Sequence, residues 1–481
     1  MSASPPEPAP RNRYADLLRV VAIGLVVLGH WLLTSISDTG GRLSGSSAMT
    51  DIGWSGWGTL LFQVMPVFFL VGGYVNALSW ARHRCAGGTW AGWVRHRAGR
   101  LLRPTTVFVA VIVIAVAVCA GAGADPAELA QAGWGVALQL WFLPVYLALI
   151  ALTPALHAAH RRWGLAVAVV LTAAAAGADA GLLGARLAAL GDANYLLVWG
   201  TMHQWGFAWQ DGTLTRRRWR PWVLAAAGAL ALGLLLAWGP FPVNMVGTTG
   251  GVNNTIPPSV ALLAFAAAQA GLLLAAEPLG SAVLARRAGL WRRVSWLNDR
   301  VLTVYLWHMV PVVVVALALQ AAGILPRAAA GSAGWWALRP AWIAALAVVL
   351  APAAIFLARF ERPPRRWRAG PGAAVPGAAL PVMVALGAAL VALGVTAAGV
   401  ALARIAVQGF APGGGVPVPA VAAYGGGVAL ILLAGPLTRA RCADAGKPAA
   451  TPGAPAPPPR RAAPPSAPAP APPGRRAGTA S

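Results

Sequence analysis

Charged residues are scarce in this 481-residue chain. They make up 10% of it, and only 13 residues are acidic. An ordinary globular domain carries about 25% charge. Set against a hydrophobic fraction of 58%, so little charge excludes a single soluble core, because long soluble chains split into domains with wetted surfaces. Cysteine is rarer still. Cys85, Cys119 and Cys442 form no framework, and no disulfide is expected. CxxC, HExxH, GxGxxG and P-loop patterns are all missing, and no metal-ligand spacing rises above chance. Lysine is nearly absent too. The basic residues are almost all arginine, a usage that a GC-rich genome alone explains.

What the chain has instead is apolar stretches of about twenty residues, the length a helix needs to cross a bilayer. Twelve are expected, at roughly 19–36, 60–80, 104–123, 134–156, 163–180, 193–210, 221–239, 256–277, 300–321, 337–359, 375–403 and 414–436. The fifth and sixth flank an Ala/Gly-rich region around Asp179, Arg186 and Asp192, where a short third segment would have room to re-enter the membrane. The first stretch is too long for a signal peptide and has no clear cleavage site, so it reads as a retained helix.

The net charge of +24 is distributed as a topology signal rather than a nucleic-acid footprint. Arg82, Arg84, Arg95, Arg97, Arg100 and Arg103 follow span two, and Arg161 and Arg162 follow span four. Arg216, Arg217, Arg218 and Arg220 follow span six, and Arg286, Arg287, Arg292 and Arg293 follow span eight. Arg362, Arg365, Arg366 and Arg368 follow span ten, and Arg439, Arg441 and Lys447 follow span twelve. The alternate loops are poor in positive charge. This is the positive-inside pattern repeated in phase, and it predicts an all-α, multi-pass membrane protein with both termini cytoplasmic. Residues 1–12 read as a cytoplasmic arm, and 443–481 as a Pro/Ala-rich disordered tail.

Polar chemistry inside the apolar runs is the functional signal. His30 lies eleven residues past Arg19 on the first span, about 16 Å along a helix and near mid-membrane. His308, eight residues past Arg300, reaches a similar depth from the same side. An ionisable group at that depth faces protein or a wet cavity, and histidine is the usual general base near neutral pH. The alternative for each ring is a structural hydrogen bond to a neighbouring helix. Arg19, with Asp16 three residues before it, stands at the helix entrance, either as half of an anchor pair or as a phosphate ligand. Arg95, Arg97, Arg100 and Arg103 offer a cradle for nucleotide phosphates, or satisfy topology alone. The glycines of FFLVGGY at 68–74 permit close backbone approach, and Asn76 lies beyond them. Gln139 and Trp141 stand where an acceptor entrance or an aromatic belt is expected. His203 is a third cavity candidate. The uncharged loop at 239–259 reads equally as a lid or as filler.

In order, Asp16-Leu-Leu-Arg19 with His30, FFLVGGY at 68–74, Arg100-Leu-Leu-Arg103-Pro104, LWFLPVY at 140–146, YLWH at 305–308 and Phe360-Glu361-Arg362-Pro363 resemble the acyltransferase-3 family of integral membrane acyltransferases. The resemblance covers residues 13 to about 363. It implies a ten-helix core over 13–368, followed by two additional helices in 369–442. It also implies a bacterial cytoplasmic-membrane location, an acetyl-CoA or other acyl-CoA donor arriving from the cytoplasm, and a glycan, glycolipid or small-molecule glycoside acceptor. No metal, no nucleic acid and no fused second catalytic domain are expected. Arg19 and His30 would be the essential pair, with His308 beside them and Arg95, Arg97, Arg100 and Arg103 on the CoA phosphates. The serine usual before the glycines is Val71 here, so a serine helper is not expected. A rival from another class is a transporter of a small polar metabolite, which buried histidines among twelve helices would also suit.

Overall fold

Sixteen helices account for nearly all regular structure in the computed structural model, which describes residues 12–247, 251–361, 374–375, 378–438 and 441–442. They are α1 (Arg13–Leu33), α2 (Ser55–Phe62), α3 (Met65–Cys85), α4 (Trp90–Gly121), α5 (Pro126–Ala137), α6 (Phe142–Trp163), α7 (Ala166–Ala185) and α8 (Ala188–Gln210). There follow α9 (Trp219–Trp238), α10 (Val260–Arg286), α11 (Ala288–Asn298), α12 (Val301–Trp307), α13 (Val310–Ala321), α14 (Ala333–Glu361), α15 (Leu380–Gln408) and α16 (Val418–Leu437). The N-terminal arm before residue 12, the basic run at 362–368 and the tail after 442 lie outside the described residues.

Among the described residues, ten helices or joined pairs are long and apolar enough to cross a membrane, or eleven if the bent pair α12–α13 is one span. The expected division into ten plus two is therefore corrected. The sixth expected span, 193–210, is the reason. It folds as α8, but Asn194, Thr201, His203 and Gln204 make it too polar to qualify. All four are buried at 1% exposure or less. Protein on every side shelters its second half, Val198 to Trp209, so apolar surface is not required there.

No segment re-enters between α7 and α8. Arg186 turns the chain in the left-handed region (φ 56°), and the two helices run back antiparallel. Asp179 explains why this turn is fixed. Its Oδ1 accepts from Asn194 Nδ2 at 2.6 Å, and its Oδ2 accepts from the backbone N–H of Val260 at 2.7 Å. One carboxylate thus ties α7 to α8 and sits at the N-terminus of α10, where the helix dipole favours negative charge. Asp179→Asn would turn one of the two accepting oxygens into an amide donor facing a donor, and a cost of about 1–3 kcal/mol is expected. Thermal unfolding in detergent measures it.

α15 and α16 pack on each other through small residues. A Cβ at Gly394 or Gly427 would press into the backbone of the facing helix, and Tyr424 on α16 hydrogen-bonds Thr106 on α4 at 2.9 Å. At the end of the bundle opposite the arginine-rich loops, an antiparallel hairpin pairs Thr34–Thr39 (β1) with Arg42–Ser47 (β2). The loop at 239–259 is strapped down there in its described part. Gln63 Nε2 donates to the Met245 carbonyl and Asn254 Nδ2 to the carbonyls of Pro242 and Asn244, with Met245 fully buried.

Candidate active site

His30 sits in the last turn of α1, because the helix stops at Leu33 where Thr34-Ser-Ile-Ser begins the hairpin. It lies closer to the hairpin end of its helix than an apolar run ending at 36 implies. The span through His308 is interrupted at that residue. Pro311 has no N–H and its ring crowds the carbonyl four residues back, that of Trp307, which kinks or breaks a helix at this point. α12 and α13 meet there at 41°. Trp31 Nε1 takes up the His308 carbonyl at 2.7 Å, which fastens the break to the end of α1.

The break brings the two imidazoles together. Their centroids are 5.2 Å apart with planes at 74°. His308 is fully buried, and its Nδ1 lies 2.6 Å from the Tyr305 carbonyl. A carbonyl only accepts, so in the neutral ring the proton is on Nδ1 and the lone pair on Nε2. That Nε2 is buried with no hydrogen-bond partner among the described residues. His30 is partly exposed, and its ring makes no hydrogen bond to any described residue. One histidine is thus locked and the other uncommitted.

A second polar cluster lies towards the arginine-rich end. Arg97 on α4 donates through Nη2 to Asn76 Oδ1 and also hydrogen-bonds Tyr146. Asn76 Nδ2 in turn donates to His203 Nε2 at 3.1 Å. Asn76 and His203 are both fully buried. Arg19 and Arg100 lie close enough for their charges to act on Arg97. The glycines of FFLVGGY make this cluster possible. A Cβ on Gly73 would strike the His203 carbonyl, one on Gly206 would strike that of Leu70, and one on Gly72 would enter the Tyr146 ring. α3 and α8 can cross at contact distance only without side chains at Gly73 and Gly206, and Tyr146 of α6 reaches α3 only without one at Gly72.

Aromatic rings join the two clusters. Tyr146, beside Arg97, stacks on Phe142 at 5.2 Å, and Phe142 meets Tyr305 edge-on at 5.8 Å, next to His308. Gln139 is a strut here, not an entrance residue. It is 3% exposed, its Nε2 donates to the carbonyls of Val136 and Leu306, and its own carbonyl accepts from Tyr305 Oη.

Of the residues expected from sequence, the structure thus pairs His30 with His308 and gathers Arg19, Arg97 and Arg100. Arg95 turns elsewhere. It stands two residues from Arg97, about 200° round the helix, and its Nε donates to Thr438 Oγ1 at the end of α16, at 3.0 Å. Arg103 is partly buried one turn beyond Arg100. Sequence reasoning left Tyr146 and Asn76 without roles, and did not single out Trp31, although Trp31 adjoins His30.

Residues 12–359 match the model of a family described as an acyltransferase domain. No curated protein and no solved structure matches the chain.

Proposed function

The chain belongs to the acyltransferase-3 family of membrane acyltransferases, and on that premise we propose that it moves an acyl group, acetyl in the simplest case, from acyl-CoA to a hydroxyl of a carbohydrate or glycosylated acceptor. The observation that carries this reading is the histidine pair, with one locked ring beside one free ring. His308 has its only proton engaged with Tyr305, so in its neutral form it has none to offer a carbonyl. What it offers is the Nε2 lone pair. Accepting the N–H of His30 there would set the tautomer of His30 and leave a lone pair on that ring's other nitrogen. His30 then serves as the general base and His308 as the residue that positions it.

In the proposed reaction, His30 takes the proton of the acceptor hydroxyl as its oxygen bonds to the thioester carbonyl carbon. The C–S bond breaks, and the departing CoA thiolate recovers the proton from His30. Arg19, Arg97 and Arg100 hold the CoA phosphates by paired N–H donors, with Arg103 flanking them. Arg19 and His30 are about 16 Å apart along α1, a distance for the flexible pantetheine arm to bridge. The arginine-rich loops support a reading with the donor side and both termini facing the cytoplasm, and the family reading sets this in a bacterial cytoplasmic membrane. The acceptor then approaches from the hairpin end.

The test is protein reconstituted in liposomes with acyl-labelled CoA and candidate glycosides. Free thiol should appear in step with label on the acceptor. Movement of a glycoside across the bilayer with the thioester left intact would sink the proposal in favour of a transporter.

A further inference from the structure

Beyond the histidine pair, the hairpin end holds an arrangement of donors without acceptors among the described residues. Trp335, Arg339 and Trp342 fall at i, i+4 and i+7 on α14, and so on one face. The Arg339 guanidinium lies 3.9 Å from the Trp335 ring centroid and 5.7 Å from that of Trp342. Its Nη1 donates to the Thr34 carbonyl at 2.9 Å. Arg339 Nε and Trp335 Nε1 are both buried, and neither has a hydrogen-bond partner among the described residues. Both atoms can only donate. No carboxylate pairs with Arg339 among the described residues. Charged groups in membrane helices pair with opposite charge or with backbone carbonyls, and the Thr34 carbonyl serves one nitrogen of Arg339 only. A buried donor left unmade costs free energy, and an anion would satisfy Arg339 Nε and Trp335 Nε1 together.

The space beside it says what else the ligand carries. Arg339, Trp335 and Trp342 line a cavity of about 200 Å³ whose other walls are aliphatic, among them Ile36 of β1, Val315 and Leu319 of α13, and Leu338 and Ala345 of α14. The cavity also adjoins the chemistry. Thr34, whose carbonyl holds Arg339, donates its hydroxyl to the His30 carbonyl at 2.6 Å, and Trp342 Nε1 donates to the Trp31 carbonyl at 3.1 Å.

We infer that this cavity is a binding site for an acidic amphiphile, with one phosphate or carboxylate on Arg339 and Trp335 and an apolar segment against α13 and α14, one helical turn beyond His30. Only its assignment to the acceptor side rests on the function proposed above. The site itself does not.

The experiment reads binding alone, with no acyl donor present, so it stands whether or not acyl transfer is found. Protein in phosphatidylcholine nanodiscs is titrated with radiolabelled dodecyl phosphate, against empty discs. Saturable binding is expected. Arg339→Gln should weaken it about tenfold or more, the worth of a charged hydrogen bond, Trp335→Phe should weaken it less, and Arg339→Lys should recover part of the loss. Inorganic phosphate alone should compete poorly, since it buries no apolar segment. Doping the discs with phosphatidylglycerol identifies the source: competition assigns the site to bulk anionic lipid, and indifference assigns it to the acceptor, with the anion site standing in both cases. Unaltered binding in Arg339→Gln, or equal affinity for uncharged dodecyl maltoside, overturns the inference. If Arg339→Gln does not fold, the preference of the unaltered protein for phosphate over maltoside decides.

Discussion

Replacing His30 with alanine is expected to slow acyl transfer by about 10²–10⁴-fold, the range lost with a positioned general base, while the protein folds and binds acyl-CoA as before. The separation of the two effects follows from the structure. The His30 ring is partly exposed and makes no hydrogen bond to a described residue, so its removal orphans no buried partner. His308 is different. Its ring is fully buried against the Tyr305 carbonyl, and His308→Ala leaves both a void and an unpaired acceptor, so stability falls with rate. The informative variant is therefore the double one. If His308 acts through His30, the pair of alanines should slow transfer no more than His30→Ala alone, because groups acting as a unit are not additive. A double variant slower by the product of the two single effects would show independent roles and remove the positioning argument. The readout is single-turnover release of CoA thiol, which reports chemistry without product release.

The parts of this architecture legible in sequence were those that apolar length and isolated charge make visible. The order of the spans, the arginine-rich end and two imidazoles inside apolar runs all follow from local patterns. The meeting of His30 and His308 was suggested by equal depth, yet depth misjudged the geometry. His30 lies in the final turn of a helix ended by a β-hairpin, and His308 at a break caused by Pro311. Each terminator was present in the sequence, but an apolar tally passes over both. The cluster of Arg97, Asn76 and His203 was less legible, because hydrogen bonds between α4, α3 and α8 leave no mark of spacing on any one of them. Two arginines from the same basic run, Arg95 and Arg97, part company simply because two residues of helix turn a side chain most of the way round. Length alone makes α8 a span, whereas the polar residues of its second half are enclosed by protein. Arg339 carries no mark in the sequence, because one arginine near the start of an apolar run is ordinary at a membrane interface. Only its unpaired Nε and its two indoles set it apart.

The second large effect is expected at Gly73. Gly73→Ala adds a Cβ where the His203 carbonyl stands, and the facing Gly206 already has no room beside the Leu70 carbonyl and the Tyr74 N–H. Both obstacles are backbone, which no rotamer change can move, so α3 and α8 must separate. Overpacking costs typically 1–3 kcal/mol and occasionally more; a backbone collision at a fully buried crossing belongs at about 3 kcal/mol or above. The damage extends to chemistry. Asn76 is one turn along α3 from Gly73, and its 3.1 Å contact with His203 on α8 spans the same crossing. Separation of the helices breaks that contact and releases Asn76 from holding Arg97, so acyl-CoA binding should weaken along with stability. Gly24→Ala is the control. Nothing lies within 4 Å of a Cβ there, and alanine is the better helix former by about 1 kcal/mol, so that variant should melt at or slightly above the parent temperature. Thermal unfolding in detergent and equilibrium CoA binding on the two variants distinguish a steric requirement from a general intolerance of substitution. If Gly73→Ala melts with Gly24→Ala, the close crossing of α3 and α8 is not what holds the arginine cluster in place.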